Sequence, residues 1–166
     1  MFVLGIDPGL SRCGYGCLER AGSTTRAVAL GVISTAPSDP LPGRLASLDA
    51  ELRALLGDLR PAVVAVERLF FQVNTRTAMS VGQASGLVLA AAAQAGCQVV
   101  QYTPNEVKQA VAGYGAAPKD QVQRMVASLL GLTEPPRPPD AADAVALALC
   151  HLSMAPLAAR IAASGP

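Results

Sequence analysis

Charge and histidine are both scarce in this sequence. Only 15% of the 166 residues are charged, and the formal net charge is +1. A near-neutral chain has no global field to draw it onto a polyanion, so a nucleic-acid surface would have to be a local patch. His151 is the single histidine, and the four cysteines, Cys13, Cys17, Cys97 and Cys150, show no paired ligand spacing. Adjacent Cys150 and His151 cannot easily share one tetrahedral ion, and further ligands are lacking, so reduced and partly buried thiols are expected rather than zinc. Lysine is nearly absent as well: Lys108 and Lys119 are the only two, and they flank one glycine-containing loop. The N-terminus lacks a basic region and Asp7 interrupts its apolar start, which argues against a signal peptide. Residues 77–105 carry no charge, but Gln83, Ser85, Gly86, Gln94, Gly96 and Gln98 make the stretch too polar to span a bilayer. A cytoplasmic protein with no membrane segment is the expectation.

What the chain does have is apolar mass, 51% of its residues, enough for a sizeable core in one domain covering residues 1–166. Residues 2–6 are a short apolar run ending at Asp7, with Pro8-Gly9 as a turn; residues 13–20 and 27–34 read as two more strands in an antiparallel meander. A loop is expected at 37–42. Leucines 45, 48, 52, 55, 56 and 59 recur at helical spacing across 44–59, and Pro61 stops that helix. Residues 62–66 form a β-rich run ending at Glu67, 69–74 a loop, 77–95 a long helix closed by Gly96, and 98–102 a fifth strand. Thr103-Pro104-Asn105-Glu106 is a capping box opening a short helix, which Gly113-Tyr114-Gly115 breaks. Helices are expected at 118–130 and, after a proline-rich connector, at 140–163 with an end or kink near Pro156. The resulting order, β-β-β-α-β-α-β-α-α-α, predicts an α/β fold: a five-stranded mixed sheet flanked by helices on both faces.

Four acids stand out in that arrangement. Asp7 and Glu67 end strands, and sites in open sheets with crossovers form outside the carboxyl ends of strands. Asp140 and Asp143 are i and i+3 on a helix and so share a face. Capping alone accounts for acids in a first helical turn, and an Asp before Pro-Gly is ordinary turn chemistry. Together the four are harder to explain that way. Converging carboxylates repel unless a cation is present, and hard oxygen donors suit Mg²⁺. Two such ions roughly 3.5–4 Å apart would activate a water and stabilise the leaving 3′ oxygen of a phosphodiester.

Gly5-Ile6-Asp7-Pro8-Gly9, Val66-Glu67, Gln83-Ala84-Ser85-Gly86, Val107-Lys108-Gln109 and Asp140-Ala141-Ala142-Asp143-Ala144 resemble, in order over nearly the whole chain, the RuvC family of bacterial Holliday-junction resolvases. The resemblance implies a ribonuclease-H-like fold, a homodimer, and metal-dependent cutting of four-way junction DNA in recombination and repair. It implies that Asp7, Glu67, Asp140 and Asp143 are the catalytic metal ligands, with two Mg²⁺ per subunit and Mn²⁺ as the alternative ion. It further implies DNA binding by Lys108, catalysis and DNA binding by Lys119, a junction wedge at Phe70, and a branch-migration partner of the RuvA and RuvB type. Some family members carry histidine where this chain has Asp140.

Phe70 and Phe71, two of only three phenylalanines, follow Glu67 in the expected loop, where exposed aromatics could stack on unpaired bases. Arg68, Asn74, Arg76 and Arg12 are candidate phosphate contacts around the same site. Ala78, Gly82, Gly86 and Ala90 form a small-residue row that could pack on the sheet or on a second subunit. Two other readings compete: a resolvase-like nuclease of RNA maturation, which shares the opening Gly-x-Asp-x-Gly, and a phosphate-loop nucleotide-binding domain of the actin and chaperone type, which would need a second domain that 166 residues do not supply.

Overall fold

The computed structural model describes residues 1–69 and 75–163. Three strands come first, β1 (Phe2–Asp7), β2 (Arg12–Ala21) and β3 (Thr24–Ser34), followed by α1 (Leu41–Leu59) and β4 (Val63–Glu67). Then come α2 (Thr75–Gln94), β5 (Gln98–Tyr102), α3 (Pro104–Ala112), α4 (Lys119–Leu129) and α5 (Pro139–Ala163). The sheet order is β3-β2-β1-β4-β5. β1 pairs antiparallel with β2 and parallel with β4, and β4 pairs parallel with β5, which makes the sheet mixed.

Side-chain parity on the strands divides the core in two. Leu4, Ile6, Val64 and Val66 pack with Leu48, Leu52 and Leu56 of α1 and Ala84 and Val88 of α2. Val3, Val63 and Ala65, one residue out of phase, pack with α3, α4 and α5. Alternation therefore puts Asp7, which continues the parity of Val3, and Glu67, which continues that of Val63 and Ala65, on the α5 side. Because β1 and β4 are parallel, with Ile6 beside Val66, the two acids also end at the same edge.

Helix α5 lies almost on the sheet backbone. A Cβ built on Gly5 would stand 1.8 Å from the Ala144 carbonyl oxygen, and one on Gly14 would stand 2.1 Å from that of Asp140. Only glycine lets the helix approach so closely. Gly14 is also the register partner of Asp7, so the start of α5 is seated over the end of β1.

Local departures from the sequence-based expectation have simple causes. Helix α1 begins at Leu41, inside the stretch expected to be loop, because Pro42 sits in the first turn, where its missing N–H would have no helical partner anyway. Helix α5 continues through Pro156 to Ala163. Pro156 cannot donate to the Leu152 carbonyl; Arg20 Nη1 from β2 donates to it instead, at 2.6 Å. The row of small residues on α2 does not pack on the sheet: a Cβ at Gly82 or Gly86 would meet nothing within 4 Å, and Ala84, Val88, Ala91 and Ala92 form the buried side. The expected capping box is present, with Thr103 accepting from Glu106 N and Glu106 accepting from Thr103 N. Among the described residues, no helix is long and apolar enough to cross a membrane.

Candidate active site

A cleft of about 350 Å³ opens at the carboxyl edge of β1 and β4, lined by Asp7, Glu67, Lys108, Lys119 and Asp143 on an apolar bed that includes Val107, Val122 and Leu147. Every helix of the α5 face contributes. Helix α5 brings Asp143, α3 brings Lys108, and α4 starts at Lys119. A cation in the first turn of a helix opposes the helix dipole, so Lys119 is held there by something stronger. Its Nζ donates to Asp143 Oδ2 at 2.5 Å. That hydrogen bond, partly offset by desolvation and reinforced by Asp143, Asp7 and Asp140, raises the lysine's pKa. Lys119 is therefore a fixed ammonium at neutral pH.

The two strand acids are in a different state. Asp7 is pushed up to about 7, chiefly by burial and then by the neighbouring charges of Glu67, Asp143 and Asp140, with Lys119 pulling the other way. Glu67 is raised for the same reasons, burial first and Asp143 next, against Lys119 and Lys108. Neither acid is hydrogen-bonded to a protein cation among the described residues. The helix acids, by contrast, are both paired: Asp143 with Lys119, and Asp140 Oδ2 with Arg12 through Nε at 3.0 Å and Nη2 at 2.9 Å. Among the described residues, no three acid, cysteine or histidine side chains already stand around a common metal position. Two of the four carboxylates are turned onto protein cations.

The donor set nevertheless fits a hard divalent cation. All four groups are oxygen donors, and the strand acids are half-buried with too little positive charge nearby to stay ionised at low cost. An ion between strand and helix acids would offset the burial that chiefly raises Asp7 and the carboxylate repulsion that adds to it.

The remaining expected contacts scatter. Arg68 is exposed just after Glu67, and its backbone N–H donates to the Tyr102 carbonyl at 2.8 Å, tying the end of β4 to β5. Phe70, Phe71 and Asn74 lie outside the described residues, and so does the side chain of Arg76. Cys150 is a buried free thiol, and His151 is buried with Nδ1 2.8 Å from Tyr102 Oη. Sequence reasoning missed that pair, and it missed Arg44 and Thr35. Thr35 Oγ1 donates to the Leu10 carbonyl at 2.6 Å, while Arg44 donates to Thr35 Oγ1 at 2.9 Å and to Ser11 Oγ at 2.5 Å. Together they clamp the turn that follows Asp7. The one available signal was a threonine directly after a strand, and it is too common to be read.

Fold and site together define a ribonuclease-H-like enzyme domain with a carboxylate-lined cleft. The family model described as crossover junction endodeoxyribonuclease RuvC matches residues 3–151. The chain is 54% identical over 156 residues to the crossover junction endodeoxyribonuclease RuvC of Moorella thermoacetica, covering 94% of this chain and 93% of the relative. Among solved structures, Thermus thermophilus RuvC is 42% identical, with a TM-score of 0.87 over 95% of this chain and 97% of the other. The same protein in complex with a Holliday junction substrate matches with a TM-score of 0.89, again at 42% identity, over 95% of this chain and 96% of the other. This chain belongs to the RuvC family of crossover junction endodeoxyribonucleases.

Proposed function

We propose that this chain is a structure-selective endonuclease that resolves four-way DNA junctions, nicking two strands of like polarity by divalent-metal-dependent phosphodiester hydrolysis in recombination and repair. The observation that carries the mechanism is the convergence of the strand acids Asp7 and Glu67 with Asp143 of α5 on one cleft, where burial and the neighbouring carboxylates push Asp7 up to about 7; Asp140, outside that lining, is still close enough to add to the shift. In this reading Asp7, Glu67, Asp140 and Asp143 hold the ions, Mg²⁺ by preference and Mn²⁺ as the alternative. When bound, the ions supply Lewis-acid chemistry for water attack and for the leaving oxygen.

The chain's own residues do the rest. The apolar bed of Val107, Val122 and Leu147 keeps bulk water from one side of the cleft and fixes the carboxylates against relaxation. Lys119, charged at any working pH, offsets negative charge that develops at the phosphate, and Lys108 binds a flanking phosphate in the same cleft. Arg12 and Arg68 add phosphate contacts at the rim. Phe70, Phe71, Asn74 and Arg76 complete the junction surface in this reading, with Phe70 against the unpaired centre.

The working form is a homodimer, because a junction has two-fold symmetry and two matched sites cut it symmetrically. The outward small-residue row of α2, with Met79 68% exposed beside it, is the surface best suited to a close helix–helix contact. The enzyme acts in the cytoplasm, downstream of a branch-migration motor of the RuvA and RuvB type.

A labelled mobile four-way junction with Mg²⁺, set against a duplex of the same sequence, tests the reading. Paired symmetric nicks on the junction alone are expected. Asp7→Asn should retain junction binding and lose cutting by at least about a hundredfold, the scale of removing one charge-stabilising group. Cutting of the duplex, or of RNA in preference to the junction, would sink the assignment.

A further inference from the structure

Arg12 is placed to do more than contact DNA. Its guanidinium forks onto one oxygen of Asp140, and the two side chains are 50% and 30% exposed. The backbone beneath it is held firmly: Thr35 N donates to the Ser11 carbonyl at 3.2 Å, and Arg44 and Thr35 clamp Leu10 and Ser11 as described. A fixed base with a long, half-exposed side chain can change partner without moving the turn.

The four acids are unequally served. Protein cations sit on the two helix acids, and the two strand acids have none hydrogen-bonded to them among the described residues. Both guanidinium contacts fall on Oδ2, so a divalent ion joining the strand acids to Asp140 has Oδ1 open to it, but it then sets a second cation beside the guanidinium and repels it. Arginine cannot leave by losing its proton, so it must move to another anion. At this cleft the incoming anion is a phosphate.

We infer that Arg12 is an exchangeable counter-cation: it neutralises Asp140 until a divalent ion arrives, is displaced by that ion, and then binds a backbone phosphate of the junction. This rests on the proposed carboxylate metal site and adds an order of events to it. The protein's own charge competes with the metal, and metal loading releases a DNA contact. Metal and DNA thus bind with positive coupling through a residue that holds neither at the reacting atoms.

Two measurements on the full chain decide it. Free Mn²⁺ is followed by electron paramagnetic resonance at low salt without DNA. Removing a partly exposed ion-pair partner should tighten Mn²⁺ binding by about two- to fivefold in Arg12→Gln. Arg12→Lys, which keeps the charge, should stay nearer the wild type; tightening as large as that of Arg12→Gln would overturn the charge argument. Junction affinity is then measured against salt, with and without Ca²⁺. In the wild type the log–log slope should steepen by about one phosphate contact when Ca²⁺ is present, and in Arg12→Gln it should not. Unchanged or weaker Mn²⁺ binding by Arg12→Gln, or a wild-type slope indifferent to Ca²⁺, would overturn the inference. If the wild type takes up Mn²⁺ and Asp7→Asn abolishes the uptake, the site reading stands whatever Arg12 does. If the wild type takes up none, the site reading falls and the inference falls with it.

Discussion

The two faces of the sheet are equally buried and built on opposite principles. On the α1/α2 face, branched strand residues meet leucines: Leu4, Ile6, Val64 and Val66 interlock with Leu48, Leu52 and Leu56. On the α5 face, the strands present Gly5 and Gly14 and the helix backbone rests on them. Side-chain packing absorbs small errors by rotamer changes, whereas backbone contact leaves nothing to rotate. The acids belong to the second face. Asp140 and Asp143 are placed by the helix backbone itself, and Asp7 and Glu67 by strand register, so the site inherits the more exact of the two constructions.

Substitutions can break this contrast. The largest effect is expected from Gly5→Ala. Its new methyl meets a backbone oxygen at 1.8 Å, and overpacking against main chain should exceed the usual ~1–3 kcal/mol and lift α5 from the sheet. Chemical denaturation would register the loss of stability, and Mn²⁺ binding the loss of the site; a variant that keeps full metal affinity would refute the claim that backbone contact positions the acids. Next comes Leu52→Ala on the opposite face. It should cost about 3 kcal/mol as a cavity mutation yet leave Mn²⁺ affinity of the folded protein unchanged. Equal losses of metal binding from both variants would erase the distinction between the faces.

Asp7→Asn sharpens the comparison by separating function from stability. Folding raises the pKa of Asp7 from 3.8 to about 7, so between about pH 4 and pH 7 the folded state holds a proton that the unfolded state has released. Metal-free stability therefore falls as pH rises through that window and is lowest above it. The neutral amide removes the penalty. Metal-free Asp7→Asn should be more stable than wild type by on the order of 2 kcal/mol at pH 8, and no more stable at pH 4, as read from Tm across pH. The same difference from wild type at both pH values would mean that Asp7 carries no such penalty in the folded protein. The smallest effect is expected at the far end of α5. Arg20→Ala leaves the Leu152 carbonyl without the donor that replaces Pro156, at a cost of about 1.5 kcal/mol with little change in metal affinity.

The sequence made much of this legible. Strand ends at Asp7 and Glu67 were readable because apolar runs stop abruptly there, and the Thr103 capping box because its two bonds are local. The start of α1 was misread because prolines at 40 and 42 look like loop, although one of them occupies a first-turn position where a helix tolerates it. The Tyr102–His151 hydrogen bond and the Arg44 clamp were invisible, since each joins residues whose proximity depends on the whole fold.

By itself, the sequence determined the elements and the mixed sheet and singled out the four acids as candidates, because periodicity, caps and strand ends are local properties of the chain. Tertiary structure decided which cations answer those acids. Arg12 reaches Asp140 across 128 positions and Lys119 reaches Asp143 across 24, and Gly5 and Gly14 read as ordinary small residues until a helix lies on them. Electrostatics and close contact depend on distance in space, and only the folded chain fixes that distance.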